Sequence, residues 1–162
     1  MSCRPDLSIP RDCAPSLPLS CAPSRSARKD GSAPYYQRKF HALSNRVREW
    51  HCLTGEFRPD YIVSFDKDGA CGRWLVLDAK YRASRGSIHD ALRDLHVYRD
   101  ALRRNGTRAA GSSIIVPALD DGAAAYAHAD YLGTHAFGAM VSGGDDGGLE
   151  GMLRGFWEGA MR

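Results

Sequence analysis

Two aspartates and a lysine stand at the ends of two short apolar stretches of this chain. Asp60 opens the stretch DYIVSF, and Asp78 and Lys80 close the stretch RWLVLDAK. Carboxylate oxygens are the ligands that Mg²⁺ prefers, and a bound divalent ion polarises a phosphodiester and activates an attacking water. A lysine beside such an ion neutralises charge in the transition state. This trio predicts metal-assisted phosphodiester hydrolysis, provided that the three side chains meet.

The surrounding elements predict that they do meet. Residues 60–65 and 73–78 are rich in β-branched and aromatic side chains, and the turn-forming DKDGACG lies between them, so the pattern predicts a β-hairpin. Side chains alternate between the faces of a strand, so Asp78 and Lys80 point the same way. Antiparallel pairing across the turn then places Asp60 roughly opposite them.

The same residues resemble the PD-(D/E)XK nuclease signature. The segment RPD, which ends at Asp60, is followed by DAKY, which begins eighteen residues later at Asp78. The later segments HVYRDA, SSIIVP and FGAMVSGG resemble the helix and strands that follow this motif in McrC-like and related bacterial nuclease-domain proteins. The likeness covers roughly residues 56–160. PD and DxK are weak patterns singly, whereas their joint occurrence with the HVYRDA segment is specific.

The resemblance implies an α/β restriction-endonuclease-like fold, with a central mixed β-sheet flanked by helices. It implies that Asp60 and Asp78 bind the metal with the backbone carbonyl of Ala79, and that Lys80 is the catalytic lysine. The cofactor is then Mg²⁺, with Mn²⁺ as a substitute. Many relatives carry one more acid on a helix before the PD strand, and Glu49 is the candidate here, with Glu56 a weaker one.

Five further residues are predicted to contact nucleic acid because they are basic or aromatic and lie near the motifs: Arg58, Tyr81, Arg82, Arg85 and Arg99. Phosphate contacts of this kind make binding sensitive to salt. An exposed charged loop explains Arg82 and Arg85 equally well. Arg99 falls near the centre of an apolar helical stripe, where an unpaired charge is costly. We therefore expect it to pair with Asp78 or Asp94, or to face substrate. Tyr98 is interpreted as a core residue.

The chain divides into two parts by composition. Residues 1–34 are dense in Pro, Ser and Arg, which predicts a disordered tail, and residues 35–162 are predicted to form the nuclease-like domain. Apolar residues at steps of three and four from Tyr36 to Trp50 predict an amphipathic helix.

Further elements are expected along the domain. A helix is predicted over residues 87–104 with Ser87 as N-cap, because apolar residues share one stripe of it and Gly106 stands just beyond its end. Two strands are predicted over 112–118 and 135–142, with a loop rich in Ala and Asp between them, and a last helix over 149–157.

Charge and composition exclude some classes of protein. The net charge of +3 is too small to indicate nucleic-acid binding by itself. The five cysteines form no CxxC pair, which favours incidental thiols over a zinc site or a disulfide framework. The sequence has no apolar run long enough for a membrane span, so we expect a cytoplasmic protein without a membrane partner.

The function expected from the resemblance is Mg²⁺-dependent endonucleolytic hydrolysis of DNA in restriction of foreign DNA. By family analogy a partner would be an AAA+ motor subunit, and a homodimer is possible by the same analogy with small junction-resolving nucleases. The alternative is a nuclease-like module that binds nucleic acid or assembles with other proteins without catalysis. The intact trio favours the enzyme, whereas the absence of a clear upstream acid favours the module.

Overall fold

The computed structural model describes residues 32–43, 48–67, 70–81, 84–143, 150–151 and 153–156. The strands are β1 (Ser32–Tyr36), β2 (His41–Ala42), β3 (Trp50–Cys52), β4 (Tyr61–Lys67), β5 (Ala70–Ala79), β6 (Leu102–Arg104), β7 (Gly111–Val116) and β8 (Phe137–Val141). The helices are α1 (Arg85–Ala101) and α2 (Ala129–His135), with a 3-10 turn at Ala124–Ala127 and helical residues at 150–151 and 153–156.

A mixed five-stranded sheet forms the centre of the molecule, with strand order β1-β4-β5-β7-β8. Strand β4 pairs antiparallel with β1 and with β5, whereas β7 pairs parallel with β5 and with β8. Helix α1 connects β5 to the parallel half of the sheet and packs on β7, as crossover connections between parallel strands require. The expected α/β architecture, a mixed sheet flanked by helices as in the restriction-endonuclease-like fold, is confirmed.

The predicted hairpin is present as β4 and β5. Tyr61 pairs with Leu77 and Phe65 with Arg73, and the ladder becomes irregular between Phe65 and Lys67. The predicted turn residues 68–69 lie outside the described residues. Ile62, Trp74 and Val76 are fully buried, which explains why this stretch is the most apolar part of the chain.

The amphipathic helix predicted from Tyr36 to Trp50 is wrong. The described part of this segment forms the end of β1, all of β2 and the start of β3, and Gln37 has a φ of 45° that no α-helix accommodates. Strands β2, β3 and β6 make a small second sheet. Aromatic residues in and beside it pack on the main sheet. The ring centroids of Phe40 and Trp50 each lie 5.7 Å from that of Trp74.

Helix α1 differs from its predicted bounds at both ends. Helix α1 begins at Arg85 after Ser84, so Ser87 is inside the helix, where its hydroxyl donates to the Ser84 carbonyl at 2.8 Å. The helix ends at Ala101, since Leu102 begins β6 and is fully buried beside β3. The apolar stripe predicted for this helix is buried at Ile88, Ala91, Leu92 and Leu95.

The later strands are confirmed, and the segment between them is not a simple loop. Strand β7 ends at Val116 directly before Pro117, and β8 occupies the centre of its predicted range. Between them the structure has the 3-10 turn and α2, which pack on β8. A four-residue turn and a seven-residue helix are too short to show clear periodicity, so the sequence pattern did not indicate them.

The folded part of the chain begins earlier than predicted. Strand β1 starts at Ser32 and pairs with β4, so the predicted tail is wrong at its last three positions, while residues 1–31 lie outside the described residues. Pro34 is exposed on this edge strand, which is where a strand tolerates proline. Within the described ranges, no helix is both long and apolar enough to span a membrane.

Candidate active site

Asp60 is held at the start of β4 by contacts on both sides. Its backbone carbonyl accepts a hydrogen bond from the Gln37 amide at 2.8 Å, and its Oδ2 accepts one from the Ala79 amide at 2.9 Å. The preceding Pro59 is fully buried, and its fixed φ restricts how the chain enters the strand. The Asp60 carboxylate is thereby held against the end of β5.

Asp78 stands opposite Asp60, where the hairpin pattern predicted it. Tyr61 pairs with Leu77 in the antiparallel ladder, so the residues one step further out face each other. Asp78 is only 3% exposed. It shares its face of the sheet with the buried Trp74 because side chains alternate along a strand. We refer to Asp60 and Asp78 as the carboxylate pair.

Lys80 completes the trio. Its Nζ lies 2.6 Å from Oδ2 of Asp78, and its side chain is 25% exposed, so the ammonium is reachable from solvent. The Lys80 amide donates to the Ile115 carbonyl at 2.8 Å, which ties this end of β5 to β7. The structure therefore brings Asp60, Asp78 and Lys80 together at one end of the sheet.

Burial raises the pKa of Asp78 above its ordinary value. The Lys80 ammonium opposes this increase, and the neighbouring Asp60 reinforces it through repulsion and hydrogen bonding. Two adjacent carboxylates disfavour each other's charge, so one of them holds a proton more readily. A divalent cation between them would reverse this effect, because it stabilises both ionised forms.

Helix α1 places Tyr98 within electrostatic range of the carboxylate pair. Burial raises the pKa of Tyr98 to about 12, with further contributions from the charges of Asp78, Asp94 and Asp60. Its ring lies 5.6 Å from that of Phe57 and packs against the core, as predicted. Asp94 is exposed one helical turn before Tyr98, and this spacing was the signal in the sequence that the two side chains would interact.

The donor set suits a hard cation. Carboxylate oxygens, supplemented by a backbone carbonyl and water, are the ligands of Mg²⁺ in proteins. Ala79, whose carbonyl is the predicted third ligand, lies between Asp78 and Lys80 on β5. Among the described residues, no three His, Cys, Asp or Glu side chains are grouped so that they could hold a metal ion. In this part of the chain, the carboxylate pair is therefore not joined by a third acid, histidine or cysteine.

The predicted upstream acids lie elsewhere. Glu49 accepts a hydrogen bond from Nε of the buried Arg104 at 2.9 Å. Arg104 also pairs with Asp66 at 2.6 Å, near the end of β4 away from Asp60. The structure does not bring Glu49 to the carboxylate pair, so its predicted role as a metal ligand has no geometric support. Glu56 is 2.6 Å from Lys39 and is occupied in that ion pair.

The residues predicted to bind nucleic acid are scattered. Tyr81 follows Lys80 and is 96% exposed. The side chain of Arg58 is 58% exposed and lies 3.5 Å from Glu56. Arg85 is exposed at the start of α1, where its amide donates to Asp120 at 2.8 Å. Arg82 lies outside the described residues.

Arg99 does not form the predicted ion pair within the described part of the chain. Its Nη1 donates instead to the His135 carbonyl at 3.2 Å, at the last residue of α2. A backbone carbonyl at a helix C-terminus carries partial negative charge, so it satisfies a guanidinium without a carboxylate. The expected pairing with Asp78 or Asp94 is therefore not found.

Comparison with known proteins identifies one family. A family model described as the PD-(D/E)XK nuclease superfamily matches residues 24–121, which is more than half of the chain and includes the whole trio. No curated protein and no solved structure matches the chain significantly.

Proposed function

Because the chain belongs to the PD-(D/E)XK nuclease superfamily, we propose that it is a Mg²⁺-dependent endonuclease that hydrolyses DNA phosphodiester bonds. The observation that supports this most directly is the meeting of Lys80 with Asp78, 2.6 Å apart, beside Asp60. Mn²⁺ would substitute for Mg²⁺, since it accepts the same oxygen ligands.

Each member of the trio has a distinct role in the proposal. Asp60 and Asp78 would hold the cation, together with the carbonyl of Ala79, and the cation would supply Lewis-acid stabilisation of the phosphate and a more acidic water. Lys80 holds its ammonium beside Asp78, where it orients the attacking water and offsets negative charge on the phosphate in the transition state.

Substrate contacts are proposed for the basic and aromatic residues that the sequence predicted. Arg58 and Arg85 are exposed and offer guanidinium groups to backbone phosphates, which they bind in a forked geometry. Tyr81 offers an exposed ring that can stack on a base. Arg82 and Arg99 are retained as proposed contacts from the sequence alone. Salt-dependent affinity is the expected signature.

A biological role in restriction of foreign DNA, with an AAA+ motor as partner or as a homodimer, rests on the resemblance to McrC-like proteins and to junction-resolving nucleases. We propose it only as the context in which the nuclease acts.

Plasmid cleavage tests the function. Purified protein should linearise or nick plasmid DNA with Mg²⁺ or Mn²⁺ and not with EDTA, and Asp78→Ala and Lys80→Ala should each abolish cleavage. Asp90→Ala serves as the matched control, because Asp90 is an exposed aspartate on α1 paired only with Arg93 among the described ion pairs. Cleavage that survives Asp78→Ala would refute the assignment of the trio.

A second function, a non-catalytic nucleic-acid-binding or assembly module, is favoured by one observation. No third acid joins the carboxylate pair in a metal-holding group among the described residues. This module would bind DNA with a salt-dependent affinity and cut neither supercoiled plasmid nor single-stranded DNA with either metal. Binding without any cleavage would therefore select the module over the enzyme.

A further inference from the structure

A second site is built around a cavity of about 610 Å³ at the end of β1. We call it the β1–β3 pocket. Its lining includes three cationic residues, Arg38, Lys39 and Arg48, with His41 and one acid, Glu49. The volume is within the range of about 300–1,000 Å³ that is typical of small-molecule sites. The pocket is separate from the trio, which contributes no side chain to its lining.

The charges that line this pocket are only partly balanced. Glu49 accepts a hydrogen bond from Arg104 at 2.9 Å, and Lys39 is paired with Glu56 at 2.6 Å. In the described part of the chain, no carboxylate pairs with Arg38 or Arg48. Two guanidinium groups thus line the cavity with no partner of opposite charge among the residues that the structure describes.

His41 reports the sign of the local field. Its pKa is lowered first by burial and then by the charges of Arg48 and Lys39, with a smaller contribution from Arg38. Glu56 opposes this and does not reverse it. A region that disfavours a further positive charge favours an anion.

Arg38 is held in place before any ligand binds. Its guanidinium lies over the rings of Tyr35 and Trp50, 5.3 and 5.4 Å from their centroids. These cation–π contacts restrict the guanidinium and so lower the entropy lost when it binds a phosphate. Arg48 is exposed and supplies a second, adjustable cation.

One residue joins this pocket to the nuclease centre. The amide of Gln37, which lines the pocket, donates to the Asp60 carbonyl at 2.8 Å. Gln37 also has a φ of 45°, a conformation that is costly for a residue other than glycine. Tyr36 lines the pocket as well, is 69% exposed, and its ring lies 5.4 Å from that of Tyr61, the residue after Asp60.

We propose that the β1–β3 pocket binds a backbone phosphate of the nucleic-acid substrate, outside the bond that is cut. The nucleic-acid identity of the ligand rests on the proposed nuclease function. Nucleic acid is favoured over a free phosphate compound because the pocket adjoins the strand that bears Asp60. The exposed Tyr36 ring at its edge can also stack on a neighbouring base.

The test compares oligonucleotide binding by fluorescence anisotropy across a salt series, with Ca²⁺ in place of Mg²⁺. The variants are Arg48→Gln and the double variant R38Q/R48Q. The matched control is R108Q/R154Q, which removes two exposed arginines that are paired with Asp100 and Glu150. The double variant should bind at least about tenfold more weakly, with the slope of log K against log salt reduced by about one to two, while the control stays within about twofold of wild type.

Equal affinity and an equal salt slope in wild type and R38Q/R48Q would overturn the proposal. The proposal would also be overturned if inorganic phosphate or a mononucleotide bound in an Arg48-dependent way and did not compete with the oligonucleotide. Arg38 stacks on core aromatic residues, so circular dichroism must show that the double variant is folded. If it is not, the exposed Arg48→Gln decides, with an expected loss of about threefold or more.

The two proposals fail in different ways. Wild-type protein that binds DNA through this pocket and cleaves nothing with Mg²⁺ or Mn²⁺ would refute the nuclease and leave the pocket assignment standing. Protein that cleaves DNA normally, with wild-type binding in R38Q/R48Q, would refute the pocket alone.

Discussion

The ammonium of Lys80 and the buried carboxylate of Asp78 are 2.6 Å apart, and this contact is the chief interaction that opposes the raised pKa of Asp78. Burial and the neighbouring Asp60 both act in the other direction. The lysine favours the ionised form of Asp78, as a bound cation would.

Lys80→Met should raise the pKa of Asp78 further. The substitution keeps most of the apolar stem and removes the charge that holds the carboxylate ionised. Titration of the aspartate carboxyl carbons by NMR, in EDTA, would measure the change. Lys80→Arg keeps the charge and should give a smaller increase. Cleavage by Lys80→Met should fall by about 10²-fold or more. An unchanged Asp78 titration would contradict the assigned contact.

Asp78→Asn should change how stability depends on pH. Because the folded pKa of Asp78 is raised, its contribution to stability is fully present below the ordinary aspartate pKa, about 4. That contribution is lost as pH rises through the folded pKa. Asparagine stays neutral, so the free energy of unfolding of the variant should increase relative to wild type as pH rises above about 4 and then level off.

Urea unfolding in EDTA at a series of pH values would measure this difference, with Asp90→Asn as the exposed control. Saturating Mg²⁺ should then stabilise wild type and not Asp78→Asn, because the cation binds the ionised carboxylate. If the free energy of unfolding of wild type increased with pH relative to that of Asp78→Asn, the predicted sign would be wrong.

The site was predictable because its geometry follows from local rules. Side chains along the strand WLVLDAK alternate between the two faces of the sheet, so Asp78 and Lys80 had to share a face. Antiparallel pairing with β4 then placed Asp60 opposite. Neither inference required knowledge of distant contacts. The interaction of Tyr98 with the carboxylates was harder to predict, because it depends on how α1 packs on the sheet.

The region from Tyr36 to Trp50 was not predictable in the same way. Apolar residues at steps of three and four fit a helical stripe, yet Phe40 and Trp50 are buried by packing on Trp74 of the main sheet, and Tyr36 is exposed on β1. Such contacts override local periodicity. Arg104 shows the same limit, since its partners Asp66 and Glu49 are 38 and 55 positions away in the sequence.

Arg104→Met should destabilise the fold strongly. The guanidinium is 1% exposed, pairs with Asp66 and Glu49, and lies over the ring of Trp50 at 4.7 Å. Removing it leaves two carboxylates beside an apolar cluster, which costs about 3–5 kcal/mol for a buried ion pair. We expect a cost at the lower end of this range, because Glu49 and Asp66 are both partly exposed.

Urea unfolding at neutral pH measures the loss, and Arg103→Met on the same strand is the matched control, with an expected change of less than about 1 kcal/mol. Glu49→Gln should cost less than Arg104→Met and should leave the Mg²⁺ dependence of cleavage unchanged. A shifted Mg²⁺ requirement in Glu49→Gln would show that Glu49 does reach the metal.

Tyr98→Phe should remove a stability loss that wild type suffers in strong base. The pKa of Tyr98 is raised to about 12, first by burial and then by the surrounding aspartates. A raised folded pKa means that the stabilisation is complete below about pH 10, where an unfolded tyrosine begins to ionise, and is lost as pH rises through 12. The phenylalanine variant keeps the ring contact with Phe57 and has no proton to lose.

Urea unfolding of both proteins at pH 9 and pH 11 would measure the effect. At pH 9 the free energies of unfolding of the two proteins should differ by about 1 kcal/mol or less. At pH 11 the free energy of unfolding of Tyr98→Phe should increase relative to that of wild type. Tyr81→Phe, which removes a hydroxyl from a side chain that is 96% exposed, controls for the loss of a tyrosine. If Tyr98→Phe shows the same change with pH as wild type, the Tyr98 hydroxyl does not have the raised pKa that its burial and the neighbouring carboxylates imply.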